Sequence, residues 1–271
     1  MTSTTHPVVI VGGGLGGLSA ALFLAWQGVP AILLERHAGS SPHPRAIGYT
    51  PRTMELLRAA GIGDEVPEAP AAFRLVRARV DSLAGAWHEQ STWHAKDEGA
   101  AAPEFSPVRG AAIAQDRIEP VLRDRAIALG ADVRLCTTCV GIEPDTDGVD
   151  VFVRDAAGLE QRLRASYAIA ADGARSPIRE ALGIARSGRG HMKTMRSVLF
   201  RAPLDEYLAR GVAQFEIEQP ALSAFLTTYH DGRWVLMFKD DVERDEAALL
   251  AAIRAAIGRD DLRAELRAQA A

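Results

Sequence analysis

The sequence predicts an α/β fold that opens with a parallel strand–helix–strand unit and continues into a strand-rich region. Residues 7–11 are a short apolar run rich in β-branched side chains, as in a buried parallel strand. Glycines follow at positions 12, 13, 14, 16 and 17, and residues 15–27 carry apolar side chains at helical spacing. A second apolar run, residues 31–34, ends at Glu35. Strand, glycine turn, helix and strand in this order begin a doubly wound fold of the Rossmann type.

Periodicity predicts the later elements as well. Three further helices are expected, at residues 51–60, 116–129 and 245–257. Strands are expected within residues 73–93 and at residues 132–142, 149–154, 163–171, 197–202, 213–218, 223–229 and 234–238. The final residues, 259–271, are polar and helix-prone, so they predict a tail without a closing strand.

These elements predict two domains and a tail, which suits a chain of 271 residues. The expected Rossmann-like domain comprises residues 1–72 with 108–185. The strand-rich domain comprises residues 73–107 with 186–245, and a helical tail follows at 246–271.

Composition narrows the possible partners and location. The chain has 31 Lys and Arg against 35 Asp and Glu, so its charge of −4 gives no basic excess for nucleic acid. A hydrophobic share of 48% is enough for a packed core. The N-terminus lacks a cationic segment followed by an apolar run, and no stretch of about 18 apolar residues occurs. We therefore expect a cytoplasmic protein with no membrane partner.

The two cysteines, Cys136 and Cys139, have the C-x-x-C spacing of some redox pairs. A redox pair is typically placed at a helix N-terminus, whereas residues 133–140 have the pattern of a strand. Side chains three residues apart on a strand point to opposite faces. The pattern therefore favours structural cysteines over a redox pair.

The glycine turn and the acid after it predict a dinucleotide site. In the G-x-G-x-x-G arrangement, Gly12 permits the tight turn, Gly14 lets a pyrophosphate approach the backbone, and Gly17 lets the helix pack closely. The helix N-terminus attracts phosphates, and Glu35 can accept hydrogen bonds from ribose hydroxyls. The alternative is a structural turn with a solvated Glu35. The acid favours FAD or NAD over NADP, and the spacing fits both FAD and NAD.

Two longer segments carry a family resemblance. Residues 41–58, S-P-H-P-R-A-I-G-Y-T-P-R-T-M-E-L-L-R, are similar to the aromatic polyketide hydroxylases. Residues 172–179 are similar to a D-G-x-x-S-x-V-R motif, with Ile178 in place of valine. From about Pro7 to about Ile257 the chain resembles the class A flavoprotein monooxygenases, the para-hydroxybenzoate hydroxylase-like group. This resemblance implies a glutathione reductase-type FAD-binding domain with an inserted strand-rich substrate domain.

The resemblance also implies roles for single residues. Arg45 would lie beside the FAD pyrophosphate and flavin, the alternative being a solvated loop arginine. Gln115 would contact the cofactor, the alternative being an N-terminal cap of the following helix. Asp172 would contact FAD, the alternative being a plain turn. Loop and resemblance together predict the cofactor-binding residues Gly12, Gly14, Leu15, Gly16, Gly17, Glu35, Arg36, Arg45, Gln115 and Asp172. No catalytic side chain and no metal ligand is expected.

The reaction implied by the resemblance is the hydroxylation of an aromatic ring, and a polyketide is one candidate substrate. NADPH or NADH would reduce FAD, and O2 would then form a flavin C4a-hydroperoxide that hydroxylates the substrate. The strand-rich domain would shape the substrate pocket. Its aromatic residues would line that pocket or, the favoured interpretation, form the core: Phe215, Phe225, Trp234 and Phe238.

One expected motif is missing from the sequence. The family carries a second FAD motif, a strand followed by G-D-A-A-H, and nothing in residues 240–271 resembles it. We therefore expect a C-terminally truncated chain, or the first half of a split enzyme with a complementing C-terminal chain. The alternatives to a monooxygenase are an FAD- or nucleotide-binding fragment without turnover of its own and a flavin reductase without oxygen chemistry.

Overall fold

The computed structural model describes residues 6–43, 47–69, 76–92 and 105–270. Its strands are β1 His6–Val11, β2 Ala31–Leu34, β3 Gly48–Tyr49, β4 Val76–Val80, β5 Trp87–Thr92, β6 Ala111–Ala112, β7 Asp132–Arg134, β8 Thr138–Pro144, β9 Val149–Arg154, β10 Glu160–Ala170, β11 Ser197–Arg201, β12 Gln214–Gln219, β13 Leu222–Thr228, β14 Arg233–Phe238 and β15 Glu265–Ala270. Its α-helices are α1 Leu15–Trp26, α2 Pro51–Ala59, α3 Gln115–Ala128, α4 Pro177–Ala181 and α5 Glu246–Ile257.

The chain divides into two compact units. The first comprises Met1–Glu68 with Val108–Gly188, and the second comprises Ala69–Pro107 with Arg189–Ala271. The sequence placed the corresponding boundaries after residues 72, 107 and 185. The second unit also includes residues 246–271, which the sequence assigned to a separate tail.

The first unit is built on a six-stranded sheet in the order β7-β2-β1-β10-β9-β8. Strands β7, β2, β1 and β10 are parallel to one another. Strand β9 pairs antiparallel with β10, and β8 pairs antiparallel with β9. Alternate side chains of β1 point to opposite faces. Val8 and Ile10 pack against α1, α2 and α3, whereas Val9 and Val11 pack against β9 and Ile178. The predicted α/β fold class is thus confirmed.

The second unit is a seven-stranded sheet in the order β15-β11-β14-β13-β12-β4-β5, with α5 packed against its apolar side chains. All neighbouring strands are antiparallel except β4 and β12. Phe215, Trp234 and Phe238 are fully buried in this core. These three aromatic residues therefore fit the favoured core interpretation.

The helical tail predicted beyond α5 is wrong. Glu265–Ala270 forms β15 and pairs antiparallel with β11. Its side chains alternate between exposed and half-buried positions, which is the period of a strand. The segment is rich in helix-forming residues, but the open edge of β11 offers backbone hydrogen bonds that outweigh this weak local preference.

The single strand predicted at residues 132–142 is also wrong. It breaks between Arg134 and Thr138, where Cys136 has a φ of 51°. The Cys136 amide donates to the carbonyl of His37 at 3.2 Å, and the Thr137 amide donates to the carbonyl of Glu35 at 2.8 Å. These bonds hold residues 135–137 against the end of β2, so the break depends on a distant segment.

Candidate nucleotide site

A cavity of about 470 Å³ opens in the first unit where the parallel strands β1, β2 and β10 end. Loops at the carboxyl ends of parallel strands are the usual place for a ligand in such sheets. The turns after these strands, the start of α3 and the start of β8 supply its walls. The lining residues are Val11, Gly12, Gly14, Leu34, Glu35, Arg36, His37, Ser41, His43, Gln115, Thr137, Thr138, Cys139, Ala171, Asp172, Gly173, Pro177 and Ile178.

The glycine turn between β1 and α1 is shaped by close backbone contacts. Gly12 has a φ of +108°, and a Cβ there would overlap the carbonyl oxygen of Ala171. A Cβ at Gly17 would overlap the carbonyl oxygen of Gly12. Both positions therefore need glycine for the fold itself. A Cβ at Gly14 would meet no described atom within 4 Å.

Helix α1 presents its N-terminus after this turn. Gly14 is the N-cap residue, and the first intrahelical bond runs from the Leu18 amide to the Gly14 carbonyl at 2.9 Å. The amides of Leu15, Gly16 and Gly17 precede that bond, so they have no carbonyl partner within the helix. They make this end of α1 the positive end of the helix dipole, which favours an anion.

Glu35 is held by three hydrogen bonds at the end of β2. Its Oε2 accepts from the Gly13 amide at 2.6 Å, and its Oε1 accepts from the His37 amide at 2.7 Å. The His37 ring lies 2.6 Å from the same Oε1, and because a carboxylate only accepts, Nδ1 is the donor. The Glu35 side chain is 13% exposed, so it is not the solvated group of the alternative interpretation.

Gln115 does not cap α3. The N-cap residue is Ala114, which makes no side-chain capping bond. The Gln115 Nε2 donates instead to Oε1 of Glu119 at 2.7 Å, and Gln115 lines the cavity. The capping interpretation is therefore wrong.

Asp172 and Ser176 fold the turn after β10. Asp172 Oδ2 accepts from the Ile178 amide at 3.1 Å, and Ser176 Oγ accepts from the Arg179 amide at 3.0 Å as the N-cap of α4. Arg179 Nη1 donates to the Ala174 carbonyl at 3.1 Å. The D-G-x-x-S-x-I-R segment is thus a compact turn that brings Asp172 to the cavity wall.

Cys139 lies in the cavity wall as a free thiol. Its Sγ donates to the Gly141 carbonyl at 3.4 Å. Burial, and to a smaller extent the charge of Asp172, raises the pKa of the Cys139 thiol above its usual range. Because a redox-active cysteine needs a lowered pKa, this environment disfavours redox chemistry.

Six predicted site residues meet at the cavity: Gly12, Gly14, Glu35, Arg36, Gln115 and Asp172. Leu15, Gly16 and Gly17 lie in the first turn of α1, outside the cavity wall. Arg45 lies outside the described residues. The sequence missed His37, Ser41, His43, Thr137, Thr138 and Cys139 as lining residues. Part of this wall was foreseeable, since His37 follows the parallel strand β2.

A glycine turn, a helix N-terminus and an anchored acid at the ends of parallel strands define a dinucleotide-binding protein. Residues 5–269 match the family model described as FAD binding domain. The chain belongs to this family of FAD-binding proteins, and the resemblance found in the sequence is confirmed.

Known relatives are monooxygenases and hydroxylases. The chain is 37% identical over 249 residues to tetracenomycin B2 monooxygenase-dioxygenase of Streptomyces olivaceus, covering 86% of this chain and 46% of that protein. It is 36% identical to aklavinone 12-hydroxylase of Streptomyces peucetius subsp. caesius, covering 91% and 52%. The crystal structure of aklavinone-11 hydroxylase with FAD and aklavinone superposes with a TM-score of 0.86 and 32% identity, covering 100% and 54%.

The chain spans about half the length of these relatives. Within the described ranges, no helix has the length and apolar character needed to cross a membrane.

Proposed function

We propose that this chain is the FAD-binding half of a cytoplasmic monooxygenase that hydroxylates an aromatic substrate of the polyketide class. NADPH or NADH would be the electron donor, and O2 the second substrate. The observation that carries the proposal is the cavity at the end of β1, where Gly14 leaves open space beside an anchored Glu35. The substrate class, an aromatic polyketide, is supported by the names of two relatives, a tetracenomycin B2 monooxygenase-dioxygenase and an aklavinone 12-hydroxylase.

The cavity residues fit the two charged and polar groups of an adenosine diphosphate unit. The α1 N-terminus suits the pyrophosphate, because its first amides have no acceptor within the helix and Gly14 places no side chain in front of them. Among the described residues Glu35 Oε2 accepts from the Gly13 amide, and a carboxylate oxygen can accept a second hydrogen bond from a ribose hydroxyl. We assign Arg36, Gln115 and Asp172 to further contacts with the cofactor, as members of the same wall.

Bound FAD would supply the electron transfer and oxygen chemistry. The chain's residues bind and orient it. Glu35 would fix the adenosine end, and the α1 N-terminus would balance the phosphate charge. No side chain is assigned a proton-transfer role.

The test begins with FAD binding by calorimetry. Glu35→Ala removes the acceptor for Gly13 and for the ribose, so we expect FAD to bind about tenfold or more weakly. Glu65→Ala is the control, because Glu65 is an exposed acid of the same unit outside the cavity. Equal FAD affinity of wild type and Glu35→Ala would contradict the assignment.

Turnover is tested separately. NADPH and NADH consumption is followed with and without an aromatic polyketide such as aklavinone, and the product is weighed by mass spectrometry. A gain of one oxygen atom is the expected result. Oxidation of the nicotinamide with an unchanged aromatic compound would instead indicate a flavin reductase.

A second candidate, an FAD-binding part that needs more polypeptide for turnover, is favoured by the edge of β10. Residues 160–165 of β10 pair with β9, whereas Tyr167–Ala170 pair only with β1 among the described residues. Tyr167, in this stretch, is 70% exposed. We propose that one further strand adds here, from polypeptide that corresponds to the rest of the relatives' length, in this chain or in a complementing one.

Two separate proline substitutions test this strand addition. The Ala171 amide donates to Val11 on β1, so by strand alternation the Ala168 amide faces the open edge. Ala168→Pro should abolish turnover in the complemented protein and keep FAD binding by the isolated chain, because proline is tolerated at an edge. Ile169→Pro is the contrast, since it breaks the ladder to β1. Full turnover with Ala168→Pro would refute strand addition at this edge.

A further inference from the structure

A basic loop, residues 184–196, leads from the turn after α4 to strand β11. It contains no Asp or Glu and four cations: Arg186, Arg189, Lys193 and Arg196. The remainder of the chain has 27 Lys and Arg against 35 Asp and Glu, which is a charge of −8. The basic loop is therefore a local exception in an acidic protein.

Three cations of the basic loop are free. Arg186, Arg189 and Lys193 are exposed, and none of them makes a hydrogen bond or an ion pair within the part of the chain that the structure describes. Lys193 acts on Asp240 through its charge alone. Arg196, in contrast, is ion-paired with two acids. The loop thus presents three positive charges that no acidic side chain neutralises by contact.

Free cations of this kind are rare elsewhere in the described ranges. Outside the basic loop, the Lys and Arg side chains without a hydrogen bond, ion pair or ring contact are Arg36, Arg175 and Arg263. The remaining cations of the described chain all have partners, and most of these partners are carboxylates. Half of the free positive charges therefore lie in a single loop, where they suit an anionic ligand.

The backbone of the basic loop is open as well. The amides of residues 185–193 donate to no described acceptor. Gly188 and Gly190 have φ values of +139° and +76°, and a Cβ at either would meet no described atom within 4 Å. Free amides and glycines between cations are features with which loops bind phosphate groups. Loops of more than about 12 residues without helix or strand are uncommon in compact domains and often serve a ligand.

The proposed reaction includes one phosphorylated ligand that still lacks a site. The pyrophosphate of FAD is assigned to the N-terminus of α1, so the other such ligand is the nicotinamide nucleotide. NADPH differs from NADH by its adenosine 2′-phosphate, a group with a charge of about −1.5 to −2. The acid at Glu35 would repel this phosphate from the cavity beside α1. Guanidinium and ammonium groups suit it, because charge-assisted hydrogen bonds to phosphate are strong.

We propose that the basic loop binds the 2′-phosphate of NADPH through Arg186, Arg189 and Lys193, and so makes NADPH rather than NADH the electron donor. The inference rests on the proposed function, in which a nicotinamide nucleotide reduces FAD. The three cations lie within eight residues of chain, which is short enough for one ligand to reach them all. They bind the nucleotide and take no part in hydride transfer.

Binding of the oxidised nucleotides to the FAD-saturated chain tests the basic loop. NADP+ and NAD+ cannot reduce FAD, and bound FAD keeps them out of the cavity beside α1. By calorimetry, wild type should bind NADP+ at least about tenfold more tightly than NAD+. Replacing all three cations with glutamine should remove most of this preference, because each exposed charge contact contributes about twofold to fivefold. FAD affinity should stay within about twofold of wild type.

Single substitutions control for the loss of charge. Arg189→Gln and Arg263→Gln each remove one exposed cation that has no partner in the described chain, but Arg263 lies outside the basic loop. Arg189→Gln should weaken NADP+ about twofold to fivefold, and Arg263→Gln should leave it unchanged. Arg189→Lys keeps the charge and should lose less. Equal losses in Arg189→Gln and Arg263→Gln would mean general attraction and would overturn the site.

The outcomes distinguish the two proposals. If wild type binds FAD but binds NADP+ no more tightly than NAD+, or if the triple variant keeps wild-type NADP+ affinity, only the basic-loop site is overturned. If wild type binds no FAD, the proposed function fails, and the NADP+ titrations are repeated on the ligand-free chain. A loss in the triple variant without a loss in Arg263→Gln then supports the 2′-phosphate site, and its absence overturns the site.

Discussion

Gly14 is the motif glycine whose missing side chain is explained by no neighbour in the described part of the chain. Its backbone, with φ −77° and ψ −175°, is open to any residue, and a Cβ there would have free space around it. Gly12 and Gly17 differ, because a Cβ at either would overlap a carbonyl oxygen. The glycine at 14 is therefore better explained by a ligand than by the fold.

Alanine substitutions should separate these two reasons. Gly14→Ala should leave the melting temperature close to that of wild type and weaken FAD at least about tenfold, because the new methyl group meets the pyrophosphate. Gly17→Ala should lower the melting temperature or prevent folding. Gly48→Ala is the control, since Gly48 also has open space and lies outside the cavity wall. Unchanged FAD affinity in Gly14→Ala would argue against a pyrophosphate at this turn.

Tyr49 should make stability fall at high pH. Its pKa rises from 10.0 to about 12 in the folded chain, through burial first and the charge of Glu119 second. The folded state thus holds this proton more tightly than the unfolded state, so the contribution is complete below pH 10 and is lost as pH rises towards 12. Urea midpoints measured across this range should fall less steeply in Tyr49→Phe than in wild type. Tyr167→Phe, at an exposed position, should match wild type; equal slopes in all three would contradict the shift.

At the scale of elements, α5 depends on its cap. Asp245 Oδ1 accepts from the Ala248 amide at 2.8 Å, and Leu249 and Ile253 then enter the core of the second unit. Asp245→Ala should cost about 1 kcal/mol in the free energy of unfolding, measured by urea denaturation. Asp245→Ser keeps an oxygen acceptor and should lose much less. Equal losses in the two variants would mean that the cap bond contributes little.

The sequence predicted elements whose cause is local. Helices α1, α3 and α5 carry their apolar stripes and stop signals within their own residues, so periodicity located them. Strand β15 was missed because its cause is the open edge of β11, more than sixty residues earlier in the sequence. The break at Cys136 was missed because its hydrogen-bond acceptors lie after β2.

The site was predicted to a similar degree. The glycine turn and Glu35 belong to one motif that is visible in the sequence, and both line the cavity. The i, i+4 spacing of Gln115 and Glu119 is visible in the sequence, but an exposed pair and a buried one look the same there. Which of the two occurs depends on which face of α3 is covered, and this is set by the packing of α3 against β1 and α1.

At the scale of the whole molecule, the two units have separate cores. ADP should therefore slow amide hydrogen exchange in the first unit, because a ligand stabilises the part that must be folded to bind it. The largest effect is expected at residues 12–18 and around Glu35, with the strands β11 to β14 unchanged. Glu35→Ala, measured at the same ADP concentration, is the control. Equal slowing in both units would show that they unfold together.

The unpaired stretch of β10 also decides how the chain behaves when it is concentrated. On the side of Tyr167–Ala170 away from β1, the backbone amides and carbonyls have no strand partner in the part of the chain that the structure describes, so they can pair with a strand of another molecule. In a purified sample that molecule is a second copy of the same chain. Aggregation that rises with concentration is the natural consequence. The same Ala168→Pro substitution that blocks a functional strand should then keep the isolated chain monodisperse.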